Sequence, residues 1–303
     1  MNGLSNESSV LFTHHMFIEI GGITIALASE DPDLEIEVDG TTKKFSLDET
    51  DADVKVEARW GDLSKEEGGR KIFDSGPLWQ LYSEEDSYCF TFASSASGPV
   101  PYKIARFDRK FTCGEVCLHH PYFPFGQPLY PLDYPLDEIL ITNILARGKG
   151  VEVHACGVVD SNDDGHLFVG QSGAGKTTMA RLWQKDNGAT VLSDDRIILS
   201  KEGTGLWMYG TPWHGEAELA SPEKAPPKNV YFLAKGSKNE VIPLKQSDAA
   251  SRLFSCSFPP YYNQQALDFT LTFIAELVRS IPCYELRFLP DRKVLKIVMS
   301  HKD

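Results

Sequence analysis

The sequence predicts an α/β (α+β) protein in two parts, a mainly β N-terminal stretch followed by a half in which strands and helices alternate around a mixed sheet. Three observations predict it. Short β-patterned runs separated by turn residues fill the chain from Phe17 to Leu118. A segment dense in proline and aromatic residues, 121–136, closes that stretch. Beyond it the apolar period switches repeatedly between two and 3.6, on either side of a glycine-rich loop at 170–177.

The elements follow in order. Residues 1–16 are expected as a disordered tail. The N-terminal β domain then spans 17–136, with strands at Phe17–Ile20, Ile23–Ala28, Leu34–Val38, Lys43–Leu47 and Val54–Ala58, and further ones near Trp79–Tyr82, Tyr88–Ala93, Tyr102–Phe107 and Thr112–Leu118. Gly21-Gly22 and Asp39-Gly40 mark two of the turns. Prolines 121, 124, 128, 131 and 135 exclude regular helix from the connector 121–136. The second domain, 137–303, opens with a helix carrying Ile139, Leu140, Ile144 and Leu145, capped by Asp133 or Asp137. Strands follow at 151–159, 166–170, 189–193, 196–200, 206–210, 229–234 and 283–288. Helices are expected at 176–186, 247–254 and 264–280, with a short one after Pro290.

The chain has 303 residues, a hydrophobic content of 42%, a charged content of 24% and a net charge of −13. These values suit a globular protein with a sizeable core. The acidic balance argues against nucleic acid and against an anionic membrane surface as partners. The start lacks a signal pattern, no apolar run approaches a membrane span, and the six cysteines read as reduced thiols, so a cytoplasmic location is expected. Cys113 and Cys117, with His119 and His120 close behind, have the wrong spacing for a paired metal site and alternate as a strand would.

The chemistry centres on Gly170-Gln171-Ser172-Gly173-Ala174-Gly175-Lys176-Thr177, which fits the phosphate-loop pattern in full. The apolar run Leu167-Phe168-Val169 precedes it and the helical run from Thr178 follows it. Gly173 and Gly175 free the backbone to turn its amides onto phosphate oxygens at the positive end of the helix. Lys176 would bridge the β- and γ-phosphates of ATP, and the Thr177 hydroxyl would coordinate Mg2+. Asp194 and Asp195 end the next apolar strand, expected beside the strand that feeds the loop. One could hold magnesium while the other accepts the proton of an attacking hydroxyl. His154 lies one strand before the loop, where a lone histidine is more often a structural hydrogen-bonder than a catalyst. The run Tyr209–Glu216 could bring His214 and Glu216 over the nucleotide, or could simply be a packed tryptophan turn.

These residues together resemble the HPr kinase/phosphorylase family, whose catalytic domain is related to phosphoenolpyruvate carboxykinase. The resemblance rests on His154-Ala-Cys-Gly157, on the loop 170–177 and on Leu192-Ser-Asp-Asp-Arg196-Ile. Pro131–Glu138, Gly210–Gly215 and Tyr284–Phe288 look like a subfamily found with peptide-modification and lasso-peptide gene clusters. The resemblance implies that His154, Asp194, Asp195 and Lys176 serve catalysis. It implies one aspartate as base and the other beside the metal, the two roles unassigned, with Asp195 and Glu216 joining Thr177 as metal-side groups. It also implies a peptide, protein or free serine hydroxyl as acceptor, and an oligomeric assembly.

The expected activity is therefore an ATP- and magnesium-dependent kinase. A nucleotide-binding scaffold without turnover is the second reading. A small-molecule kinase is the third, disfavoured because 201–260 offers only Arg252 for an arginine-bearing lid. Arg196, Lys228, Lys235 and Arg252 are the candidate cations for the transition state.

Overall fold

The computed structural model describes residues 14–301, apart from residues 39, 66–68, 95–97, 99 and 125. The expected tail therefore lies outside the described residues up to position 13, and from His14 onward it is strand. The chain divides into two units: Met1–Ile18, Thr24–Val38 and Leu47–Asp133 in the first, and Glu19–Ile23, Asp39–Ser46 and Tyr134–Asp303 in the second.

The first unit is built on one sheet: β1 (His14–Ile20), β2 (Ile23–Ser29), β3 (Ser46–Leu47), β4 (Val54–Gly61), β5 (Arg70–Asp74), β6 (Trp79–Ser83), β7 (Ser87–Phe92), β8 (Lys103–Asp108) and β9 (Cys113–His119). Their order is β3-β1-β2-β4-β9-β8-β7-β6-β5. Val54, Val56 and Ala58 of β4 are buried while Lys55 and Glu57 alternate outward, as a strand with one covered face requires. Cys113 is exposed, and Cys117 is buried with Leu63, Cys89 and Ile104.

Two expected strands fail here. Leu34–Val38 makes a single bridge, Ile36 to Leu129, with Leu129 N–H donating to Glu35 O and Glu37 N–H donating to Leu129 O. Pro128 and Pro131 flank Leu129 and carry no N–H, so the ladder cannot extend. Thr42–Phe45 winds into a short 3-10 turn that buries Phe45, leaving two residues of strand. β5 was not legible.

The second unit begins with α1 (Leu136–Ile144), preceded by Pro135 and lacking a side-chain cap. The expected caps are engaged elsewhere: Asp133 pairs with the buried Lys103 of the first unit, and Asp137 Oδ1 accepts from the next backbone amide. Then come β10 (Gly150–Val159), β11 (Gly165–Val169), α2 (Lys176–Gln184), β12 (Thr190–Ser193), β13 (Arg196–Glu202), β14 (Gly205–Tyr209), β15 (Lys224–Ala225), β16 (Pro227–Lys235), β17 (Glu240–Pro243), α3 (Gln246–Phe254), α4 (Gln264–Ser280), β18 (Cys283–Phe288) and α5 (Lys293–Ser300). The sheet runs β15-β14-β13-β10-β11-β16-β18-β17, with β12 also paired to β10. β11, β16 and β18 are mutually parallel and the other pairs antiparallel, so the sheet is mixed, in a protein of α/β (α+β) class.

Strand alternation decides which helix covers which face. Val151, Val153, Ala155, Leu167, Val169 and Phe232 face α3 and α4, whose Leu253, Phe273, Ile274 and Leu277 complete one core. Cys156, Val158, Phe168, Tyr231, Leu286 and Phe288 face α2 and α5, packing on Met179, Trp183 and Leu295. Strands covered on both faces read as continuous apolar runs, which is how β10, β11 and β16 read. Among the described residues no helix is long and apolar enough to cross a membrane.

Candidate functional site

The phosphate-loop pattern stands between β11 and α2, as strand–loop–helix. Gly170 N–H lies 3.5 Å from His154 O, which ties the loop's start to the neighbouring β10. Gly173 and Gly175 have φ of 78° and 110°, in the left-handed region that favours glycine. A Cβ on Gly175 would also come within 2.7 Å of Phe288 Cζ. Gln171, Ser172 and Gly173 are exposed, while Ala174, Thr177 and Thr178 are half-buried. No side chain caps α2, which leaves its first amides pointing into the loop.

Lys176 is buried and folds back over the loop. Its Nζ donates to Gly170 O at 2.9 Å and to Gln171 O at 3.4 Å. Burial lowers its pKa, and the opposite charge of Asp195 partly restores it. Lysine and aspartate are thus close enough to bias each other's titration.

Asp195 comes to this place through β10 rather than β11. β12 pairs with β10, so the strand ending in the aspartates is not beside the loop strand as expected. β10 lies between the two and also pairs with β13, whose Arg196 stands opposite His154. His154 Nε2 donates to Asp195 Oδ1 at 2.9 Å. Arg196 Nη1 grips Asp195 Oδ2, and its Nε donates to Glu138 Oε1 at 2.9 Å. The same Nε is 3.2 Å from Glu152 Oε1, and the guanidinium lies 4.3 Å from the ring centre of Phe258. Burial alone would raise the Asp195 carboxyl. The hydrogen bond from His154 and the charges of Arg196, His154 and Lys176 outweigh it and hold the group below its ordinary value.

Asp194, next in the chain, is placed quite differently. It is 1% exposed. Its Oδ1 accepts from the amides of Gly215 and Leu219, and its Oδ2 from that of Ala217. The carboxylate therefore organises the loop 210–219. Ser193 anchors the same turn, accepting from the amides of Asp195 and Arg196 and donating to Trp213 O. In that loop Thr211, Pro212 and Trp213 are buried, whereas His214 and Glu216 are exposed. The Glu216 carbonyl accepts from Arg181 of α2 at 3.3 Å. The run packs Trp213 inward and passes Gly215 beside Asp195, where a Cβ on Gly215 would lie 3.4 Å from Asp195 Cβ, with His214 and Glu216 exposed on either side.

The four candidate cations separate cleanly. Lys228 pairs with Asp164 at 2.5 Å, at the end of β11 and β16 away from the loop. Arg196 is locked in the carboxylate cluster. Lys235 ends β16 on the loop side. Arg252, on α3, lines a hollow of about 450 Å³ whose other wall is Gly170–Ala174.

No family model matches this chain, and no curated protein matches it either. Among solved structures it is similar to the Hpr(Ser) kinase/phosphatase from Coxiella burnetii, at 16% identity over 43% of this chain and 92% of that one, with a TM-score of 0.21. A likeness at that level says nothing about activity. The chemistry has to come from this chain's own residues.

Glu138 and Glu152 were not read from the sequence as site residues, though a signal existed. A glutamate between two valines in a strand covered on both faces needs a partner, and Arg196 is that partner. Ser193 and Phe258 carried no such signal. Among the described residues no group of three His, Cys, Asp or Glu side chains assembles to hold a metal. That donor set still fits magnesium arriving with a triphosphate, since magnesium takes most of its oxygens from phosphates and water and needs only one or two from the protein. Thr177, at the start of α2, would supply one, and Asp195 is the carboxylate that could supply a second.

Proposed function

We propose that this chain is an ATP- and magnesium-dependent phosphotransferase that moves the γ-phosphoryl group to a serine or threonine hydroxyl of a peptide or protein, or to free serine. The observation that carries this reading is the convergence of two independent pieces, the phosphate loop and the His154–Asp195 pair, on Lys176. A loop alone binds phosphate, and a carboxylate held ionised beside it gives the site something to do with an acceptor.

In this reading the loop amides and Lys176 bind the β- and γ-phosphates. Lys176 exchanges the carbonyls of Gly170 and Gln171 for phosphate oxygens. Thr177 would hold magnesium, which when bound neutralises charge on the phosphates. Asp195 accepts the hydrogen bond, and finally the proton, of the attacking hydroxyl. A depressed pKa makes it a weak base, but phosphoryl transfer through a loose transition state asks more for orientation than for basicity. His154 and Arg196 fix the carboxylate from its two oxygens. Asp194 acts through the loop it organises.

The test uses the full chain with γ-labelled ATP, magnesium, serine peptides and free serine. Asp195→Asn should cut transfer by about 10²–10⁴-fold while nucleotide affinity stays within a few-fold. A large rise in the magnesium requirement instead would move Asp195 to the metal. Tight ATP binding with no labelled acceptor, unchanged by Asp195→Asn, would make the chain a nucleotide-sensing module and sink the phosphotransferase reading.

A further inference from the structure

The parallel strands β11, β16 and β18 present their carboxyl ends on one edge of the sheet, the edge on which α/β proteins bind ligands. The phosphate loop leaves the first. Lys235 ends the second, and Glu285 and Arg287 stand near the end of the third. Arg252 of α3 joins them, its Nη1 2.8 Å from Glu285 Oε2, while Arg287 Nε is 2.9 Å from Glu285 Oε1. One carboxylate shared by two guanidiniums leaves positive charge over. A second hollow, of about 400 Å³, is lined by Lys235, Lys238, Glu240, Glu285 and Arg287, with Lys238 paired to Glu240 at 2.9 Å. Across the two hollows four cations face two carboxylates, on a chain whose net charge is −13. Local positive charge on so acidic a chain needs an explanation.

A nucleotide in the loop would lie nearest Arg252 among these cations. β18 and β17 stand two and three places from β11 in the sheet, about 10–14 Å away at roughly 4.8 Å per strand. Arg287 on β18 and Lys238 in the turn before β17 therefore stand on the far side of β16 from the loop strand, although Phe288 at the end of β18 packs on Gly175. Arg252, by contrast, shares its hollow with the loop itself and with Ser251 and Ser255.

We propose that this edge recognises the acceptor, and that the acceptor carries an anionic group, carboxylate or phosphate, close to the hydroxyl that is phosphorylated. This rests on the phosphotransferase reading. Arg252 exchanges Glu285 for the acceptor's anion. The exchange is cheap, because the Arg252 side chain is 45% exposed and its pair with Glu285 is screened by water. It leaves no orphan, because Arg287 keeps Glu285 neutralised. A guanidinium then meets the incoming anion through two parallel hydrogen bonds, a geometry that fixes orientation as well as affinity.

The experiment pairs two serine peptides that differ only in Asp or Asn on either side of the serine. Binding to the full chain, loaded with magnesium and a non-hydrolysable ATP analogue, is read by fluorescence anisotropy, and transfer is read with labelled ATP. The Asp peptide should bind about tenfold tighter than the Asn peptide, and Arg252→Gln should erase that difference, with Arg252→Lys keeping part of it. Affinity for the ATP analogue should stay within about twofold in both variants, which separates acceptor recognition from a structural loss. Equal binding of the two peptides, binding of neither, or an Arg252→Gln effect confined to the nucleotide would overturn the proposal. Selective binding of the Asp peptide without any transfer would keep the anion site and refute the phosphotransferase reading instead.

Discussion

At the scale of single residues, charge and burial sort the aspartates and glutamates into jobs. Glu152 is 1% exposed, and burial first, then the neighbouring Glu138 charge, pushes its carboxyl well above the ordinary range. The folded chain therefore binds that proton more tightly than the unfolded chain does. The stability it contributes is complete below a pH of about 4.3 and is lost as pH rises through the folded value. Glu152→Gln has no proton to lose. We expect the variant to gain on the wild type in thermal denaturation as pH rises from 4 to neutrality, and equal slopes would count against this assignment. Asp194→Asn places an NH2 where the carboxylate now receives three amides. It should cost about 1–3 kcal/mol in denaturant unfolding and leave a purified sample still able to bind nucleotide. The adjacent aspartates look alike in sequence and differ completely in place. Nothing local to Ser193-Asp-Asp-Arg196 says that one caps the turn 215–219 and the other meets a histidine. The pairing with His154 depends on the register of β10 against β13, a long-range fact. The shape of the phosphate loop, which depends on its own glycines, was legible at once.

At the scale of elements, strands and helices with strong periodicity were readable, and their neighbours in the sheet were not. β10, β11, α2, α4 and β18 fall where the apolar runs put them. That β12 lies on β10 and not on β11 follows from which strand closes next to which, and a run of apolar residues carries no record of that. β17 and β15 are short and half-exposed, with little pattern to read. The junction between β11 and α2 makes the sharpest demand. Gly175 holds φ of 110° and sits against Phe288, at the end of β18. Gly175→Ala must therefore strain the backbone and push an aromatic ring that helps cover the α2 face of the sheet. The expected cost is about 1–3 kcal/mol from backbone strain, seen as a lower midpoint in urea, together with weaker binding of the ATP analogue. An unchanged midpoint would mean that the loop relaxes into another shape, and that the amide cradle is less rigid than the fold suggests.

At the scale of the whole chain, a division at residue 137 is the natural cut by composition, but the second unit also draws in Glu19–Ile23 and Asp39–Ser46 from far upstream. Those short stretches do specific work within that unit. A Cβ on Gly21 would meet Ile198 Cδ1 at 2.6 Å, so the β1–β2 turn is packed directly on β13. Thr41 Oγ1 donates to Pro212 O at 3.1 Å, and Lys44 Nζ donates to Ala220 O at 3.0 Å. Both bonds hold the loop that Asp194 organises from within, so that loop is fixed from two sides, by a carboxylate close in sequence and by residues more than 160 positions away. A fragment of residues 134–303 keeps every catalytic candidate and loses the second set of ties. It should unfold at a lower temperature than the full chain and exchange the amides of 211–220 faster. In the full chain, Thr41→Val with Lys44→Met should reproduce the faster exchange with a modest loss of about 1 kcal/mol per bond removed. Nucleotide affinity should hold in the double variant, because β10, β11 and the phosphate loop lie outside the released loop. If the double variant lost nucleotide binding as well, the loop 210–219 would have to be counted as part of the site and not as its support.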